Sequence, residues 1–233
     1  HSAAYERTGM LHRDVSAGNI LIGEDGCGIL IDWDLSKRVT KGVEEKARQH
    51  SRTGTWQFIS TWRLLDPSFR PHEVSDDLES FFWVLVYEIA KCRSPRKMDM
   101  TADMQYVFDM HSDVGSDGLV RGGLGKFSFL QGVPITPGDI DMFVETPCAD
   151  IIEELRTLFQ DFYRHVQPRY EVFKESLPRI KAKRAKDQRV QDARNKLCSS
   201  EWILSLLDQH LGSTWDVDDD GSLCRYELRL YSK

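Results

Sequence analysis

The chain has five cysteines, and no two of them are spaced as a CxxC pair. Cys27, Cys92, Cys148, Cys198 and Cys224 therefore suggest no zinc site, and their odd number argues against a disulfide framework. A reducing, intracellular setting, cytoplasmic or nuclear, is expected. Long apolar runs are also missing. The longest, Phe81 to Val86, is far too short to span a bilayer. The chain opens on no signal-peptide pattern. There is no excess of positive charge: the net charge of −6 gives no pull toward nucleic acid or anionic membrane, and neither is expected as a partner. No internal repeat is visible. The 233 residues, 40% of them hydrophobic and 10% aromatic, suffice for one domain with a real core and a tail.

Apolar spacing predicts a mainly α chain with one small β-hairpin. Residues 2–8 read as the end of a helix, with Gly9 placed to cap it. Ile20-Leu21-Ile22 and Ile29-Leu30-Ile31 are short apolar strands around Gly23-Glu24-Asp25-Gly26-Cys27-Gly28, which has turn chemistry. Residues 35–60 carry no apolar period and read as a long polar loop. A strong helix opens at Asp76, with Leu78, Phe81, Phe82, Leu85, Val86 and Ile89 in phase. It is apolar on more than one face, which predicts burial. Residues 91–147 are glycine-rich and weakly patterned, with one or two short helices expected. Residues 149–166 form an amphipathic helix carrying Ile151, Ile152, Leu155, Leu158, Phe159, Phe162 and Val166. Residues 178–196 are strongly basic and read as a solvated helix, with a nuclear-import or partner-binding segment as the alternative. Residues 200–211 form a last helix capped by Ser200.

The chemistry concentrates near the start. Leu11-His12-Arg13-Asp14-Val15-Ser16-Ala17-Gly18-Asn19 joins an HRD triplet to an asparagine five residues beyond Asp14. Asp32 follows in Ile31-Asp32-Trp33-Asp34, after the second strand. The hairpin would hold Asn19 at one strand's start and Asp32 at the other's end, bringing them together. Phosphoryl transfer needs a carboxylate to orient or deprotonate the attacking hydroxyl, and oxygen ligands for Mg²⁺ beside the triphosphate. Asp14 suits the first role, and Asn19 with Asp32 the second. ATP and Mg²⁺ are the cofactors implied. As isolated loop carboxylates Asp14 and Asp32 would mean little; their joint spacing carries the reading.

Three segments, LHRDVSAGNILI, IDWDLSKRV running to RTGTWQFIS, and HEVSDDLESFFWVLVYE, resemble the C-terminal lobe of a eukaryotic protein kinase. More narrowly they resemble the fungal-type protein kinase family, and the third is also similar to the DDLES helix of casein-kinase-one enzymes. The resemblance is good from about residue 1 to 90 and vaguer to about 180. It implies that Asp14 is the catalytic aspartate, that Arg13 beside it can bind an activation-loop phosphate, and that Asn19 and Asp32 hold Mg²⁺. It places Leu21 under the adenine ring and Ile31 in the same pocket. His12 and Asp77 would support the catalytic loop, Asp77 by bracing its backbone. A lobe over residues 1–185 would then be followed by a helical, acidic extension over 186–233. A protein substrate is expected. The Gly-rich loop, the strand lysine and its glutamate partner precede the HRD segment in such kinases, and thirteen residues cannot hold them. A missing N-lobe, or a partner in its place, would cover an apolar patch around Leu21 and Ile31.

The sequence departs from the family pattern in places. Ser16 stands where a lysine usually neutralises charge on the transferring phosphate, which should weaken catalysis while leaving a hydrogen bond possible. Trp33 and Asp34 replace the Phe and Gly of DFG, and no Ala-Pro-Glu follows Thr53-Gly54-Thr55. Thr53 and Thr55, with Ser51 and Thr40, are candidate phosphorylation sites that could pair with Arg13. An unmodified polar loop is the alternative.

Two other functions compete. Asp32-Trp33-Asp34 and Gly18-Asn19 are also similar to aminoglycoside-type small-molecule phosphotransferases, although Arg13 and the Thr53-Gly54-Thr55 loop favour a protein kinase. A pseudokinase or truncated lobe acting as a binding scaffold is the second. Separately, Asp216, Asp218, Asp220, Gly221 and Glu227 satisfy the spacing of a calcium loop. Gly212-Ser213-Thr214 breaks the helix that should enter it, so an exposed acidic turn is the favoured reading and Ca²⁺ is not expected.

Overall fold

A computed structural model of the chain describes residues 1–39, 54–67, 70–93, 104–109, 111–114, 118–133, 148–166, 179 and 183–211. The described chain is mainly helical, with three small antiparallel sheets of two strands each. Helix α1 (Ser2–Thr8) ends at Gly9, whose N–H bonds the Tyr5 carbonyl at 2.8 Å, as the glycine cap predicts. Strands β2 (Ile20–Ile22) and β3 (Gly28–Leu30) form the expected hairpin, with Ile20 opposite Leu30. Two further ladders had no signal in apolar alternation. Strand β1 (Met10–Leu11) pairs with β4 (Lys37–Arg38), inside a stretch read as polar loop, and β5 (His111–Val114) pairs with β6 (Val120–Gly122). Strands of two to four residues are too short to display a period.

The core is built around α3 (Val74–Arg93), which starts two residues before the expected Asp76. Leu78, Phe82 and Val86 are buried as the pattern predicts. Trp83, wholly buried, was not in that pattern, because the helix is covered on two sides and its buried stripe is wider than one face. Helix α5 (Ala149–Phe162) packs against α3, the rings of Phe82 and Trp83 meet Phe129 of α4 (Leu124–Leu130), and α2 (Thr61–Leu65), which touches α4, is tied to α3 through the Thr61 N–H on Glu79. All seven apolar residues expected between 149 and 166 are buried, although the helix stops at Phe162 and a turn carries Tyr163 and Val166 inward. Helix α4 approaches the turn Gln105–Asp109 so closely that a Cβ on Gly125 would sit 2.1 Å from the Tyr106 carbonyl oxygen. Only glycine permits that approach.

The basic stretch is less solvated than its composition predicts. Helix α6 (Gln188–Lys196) buries Val190 and Ala193, and Leu197 follows, all seated toward α5. Arg184 is 9% exposed: its guanidinium stacks on Trp62 at 4.6 Å and donates to the Phe162 carbonyl at 2.7 Å. Charge here hides small apolar residues spaced for one helix face. Helix α7 (Glu201–Leu211) packs on α5 and α6. Ser200 occupies the capping position, but the hydroxyl bonded to the Glu201 N–H, at 3.3 Å, is that of Ser199. No described helix is long and apolar enough to cross a membrane.

Candidate functional site

The loop from His12 to Asn19 is braced from beneath by one carboxyl group. Asp77, wholly buried in the first turn of α3, accepts the backbone N–H of His12 at 2.7 Å and that of Arg13 at 3.0 Å. The imidazoles of His1 and His72 meet its two oxygens at 2.9 and 2.7 Å. This fork holds Arg13 at φ 72°, a region that side-chain-bearing residues seldom occupy. His12 is itself buried. Its Nδ1 accepts the Asp14 N–H at 3.3 Å, which leaves Nε2–H to donate to the Ile31 carbonyl at 2.9 Å. Trp33 stands edge-on to that imidazole at 4.7 Å, and its indole N–H bonds the Leu30 carbonyl at 3.0 Å. His12 thus joins the loop to the end of the hairpin.

Asn19 completes the connection. Its side-chain amide donates to the Asp14 carbonyl at 2.9 Å, and its own carbonyl accepts the Ile31 N–H at 2.9 Å. Asp14, Asn19 and Ile31, the residue before Asp32, are therefore neighbours. Asp32 has φ 59°, and its carboxylate forms no hydrogen bond among the described residues. Leu21 and Ile31 are 48% and 36% exposed. Ser16 is buried, and its carbonyl accepts the Asn19 N–H at 3.0 Å.

Asp14 is engaged on one oxygen only. Its Oδ1 accepts both the N–H of Thr55, at 2.7 Å, and the Thr55 hydroxyl, at 2.9 Å. Gly54, at φ 113°, lets this strand pass: a Cβ there would lie 2.9 Å from the Arg13 carbonyl oxygen. Arg13, Asp14, Thr55, Ser60, Arg63 and His72 line a small cleft beside the loop. Thr40, Ser51, Thr53 and the acidic residues Asp216, Asp218, Asp220 and Glu227 lie outside the described residues.

Sequence reasoning missed the polar layer under residues 59–62. The Ser60 hydroxyl donates to Asp76 Oδ1 at 2.6 Å. Glu79 accepts the Thr61 N–H at 2.8 Å, the Trp83 indole N–H at 2.9 Å and the Tyr163 hydroxyl at 2.5 Å. Tyr163 in turn accepts the Trp62 N–H at 3.0 Å. Lys126, wholly buried, donates to the Ile59 carbonyl at 2.7 Å. Burial pushes the Glu79 carboxyl up against those three donors, and pushes the Lys126 ammonium down to about 7 against the attraction of Glu79. The available signal was charge inside apolar surroundings: Glu79 among Leu78, Phe82 and Trp83, and Lys126 before Phe127.

Asp76 carries a testable pH dependence. Burial alone would raise its carboxyl, but the bidentate Arg70 guanidinium at 2.6 and 2.8 Å, with His72 and the Ser60 hydroxyl, brings it down to about 2. Folding therefore disfavours proton binding at Asp76. Its contribution is complete above the unfolded value near 4 and is lost as the pH falls toward 2, about 2 kcal/mol in all. Urea unfolding of Asp76→Asn beside the unsubstituted protein should give a stability gap that is constant from pH 7 to 5 and shrinks between pH 4 and 2. A gap that does not change over that range would remove Asp76 from this role.

Comparison with known proteins points one way. Residues 1–89 match the model of the family described as fungal protein kinase. A serine/threonine-protein kinase, PknD, of Protochlamydia amoebophila (strain UWE25) is 28% identical over 101 residues, covering 38% of this chain and 10% of that kinase. The chain thus spans about a tenth of the length of the curated relative it matches. No solved structure matches it.

Proposed function

We propose, from the match of residues 1–89 to the fungal protein kinase family model, that the chain supplies the catalytic lobe for ATP-dependent phosphoryl transfer to a serine or threonine of a protein. The observation that carries the reading is the state of Asp14. One carboxylate oxygen is held by Thr55, and the other makes no hydrogen bond among the described residues, so it is available to accept the proton of an incoming hydroxyl. His12 ties the loop to the hairpin, Asp77 braces it, and Arg13 beside Asp14 is the group for an activation-loop phosphate. Ser16 is the buried residue at the usual lysine position.

The chain's residues fit the cofactor that such a reaction uses. Asn19 spends its Nδ2 on Asp14, which leaves Oδ1 for a cation, and the Asp32 carboxylate is likewise unspent. Leu21 and Ile31 offer apolar surface beside them for an adenine ring. Mg²⁺, when bound with ATP, neutralises charge on the phosphates. The remaining nucleotide contacts belong to an N-lobe or a partner, so activity is expected of the parent protein. Of the extension expected after residue 185, the described helices α6 and α7 dock on α5. Among the candidate phosphorylation sites, Thr55 suits a pairing with Arg13 poorly. A phosphate on Thr55 would set two anionic groups together where its hydroxyl now meets Asp14 at 2.9 Å.

Thermal unfolding with and without millimolar Mg-ATP, beside Asp32→Asn, tests the site. A ligand that binds only the folded state raises the midpoint with occupancy. An upward shift of a few degrees that disappears in Asp32→Asn is expected, together with phosphate transfer to dephosphorylated casein by the parent protein. A shift without transfer would favour a nucleotide-binding scaffold. Transfer to an aminoglycoside but not to casein would favour a small-molecule phosphotransferase.

A further inference from the structure

We propose that Lys126 is a positioning residue for the acceptor side of the site, holding from inside the core the turn that carries Thr55. The inference rests on the reading of Asp14 as the group that orients the acceptor hydroxyl.

The connection is short. Thr55 opens a tight turn in which its carbonyl accepts the N–H of Phe58 at 2.9 Å and that of Ile59 at 3.2 Å. One end of this turn is fastened to Asp14 through the Thr55 N–H and hydroxyl. The other end is fastened to Lys126 through the Ile59 carbonyl. Beyond Ile59, Ser60, Thr61 and Trp62 are tied to Asp76, Glu79 and Tyr163. Apart from the exposed side-chain bond of Gln57 to Asp109 at 2.7 Å, Lys126 is the anchor nearest to Thr55 in sequence and the first buried one to grip the backbone; it comes from α4, whereas Asp76 and Glu79 come from α3.

The cation also feels the attraction of the Glu79 carboxylate, which is itself tied to the Thr61 N–H at the far end of the same segment. Among the described residues its one hydrogen-bond acceptor is the Ile59 carbonyl. Around it stand the rings of Trp83 at 4.9 Å and Phe108 at 5.8 Å. Methionine would fill that apolar space without the cost of desolvating an ammonium. What an ammonium adds is a charge-assisted bond to one carbonyl, and a fixed carbonyl fixes the turn. Gly125 makes the placement possible, since its close approach to Tyr106 brings α4 within reach.

The test compares Lys126→Met and Lys126→Gln with the unsubstituted parent protein. Amide exchange over residues 55–62 is read by mass spectrometry, and phosphate transfer to dephosphorylated casein by steady-state kinetics. Lys126→Met should speed exchange in that segment about tenfold, with protection along α3 and α5 retained. It should lower kcat about tenfold and leave the KM for Mg-ATP unchanged, because the nucleotide lies at the hairpin. Lys126→Gln keeps a donor and should recover most of both. Unchanged exchange in Lys126→Met overturns the proposal. So does loss of protection throughout α3 and α5 in both variants, which would make Lys126 a folding residue instead. If the unsubstituted parent transfers no phosphate, the kinase reading fails, and the exchange comparison alone decides whether Lys126 anchors the turn.

Discussion

Asp14→Asn is expected to lower kcat for phosphate transfer by about 10²–10⁴-fold, the range that a positioned proton acceptor contributes. The substitution is nearly isosteric. An amide oxygen can still accept the two bonds from Thr55, at 2.7 and 2.9 Å in the unsubstituted protein, so the turn after Gly54 should keep its place. The backbone ties of residue 14, to His12 Nδ1 and to the Asn19 side chain, do not involve the carboxylate. What is lost is the charge on the oxygen that Thr55 does not hold. The thermal midpoint should therefore remain within a degree or two while turnover collapses, and the KM for Mg-ATP should change little. A fall in kcat smaller than threefold in Asp14→Asn would take Asp14 out of the reaction. A matching loss of midpoint would mean that the residue supports the loop, not the chemistry.

Much of this site was legible because its residues are local. His12 to Asn19 is one loop, and Ile20 to Asp32 is one hairpin with turn residues between its strands, so spacing alone brings Asn19 near Asp32. Helix periodicity located α3 and α5 for a similar reason: each buries a long stripe of side chains. What spacing could not reveal is long-range. Asp77 reaches its loop across more than sixty residues, at His12 and Arg13. Tyr163 meets Glu79 from 84 residues away, and Lys126 meets Ile59 from 67. A buried charge is spelled with the same letter as a solvated one, and only its partners tell them apart. The basic stretch ending at Lys196 accordingly reads as a solvated helix; most of α6 is exposed, but Arg184 lies buried on Trp62. The β1–β4 pair was hidden by its length, two residues on each side.

Asp77→Asn should destabilise the protein by about 3 kcal/mol, in the range found when one partner of a buried polar network is removed. For a chain of this size that corresponds to a fall in midpoint of roughly 6–12 °C. The carboxyl group accepts from two backbone N–H groups and meets two imidazoles, two contacts on each oxygen. An amide can replace only one of those oxygens as an acceptor. Its NH₂ must then face either the N–H of His12 with His1, or the N–H of Arg13 with His72, and a buried donor is left against a donor. The Arg13 backbone adds to the loss. Its φ of 72° costs free energy that the bond at 3.0 Å now offsets, and without that bond the loop can relax to an ordinary conformation. Relaxation at Arg13 moves Asp14, the next residue, so activity should fall by more than the folded fraction accounts for. Measuring kcat well below the new midpoint separates the two effects. Equal midpoints for Asp77→Asn and the unsubstituted protein would show that the fork is not what holds the loop. A lowered midpoint with full turnover would show that it holds the fold but not Asp14.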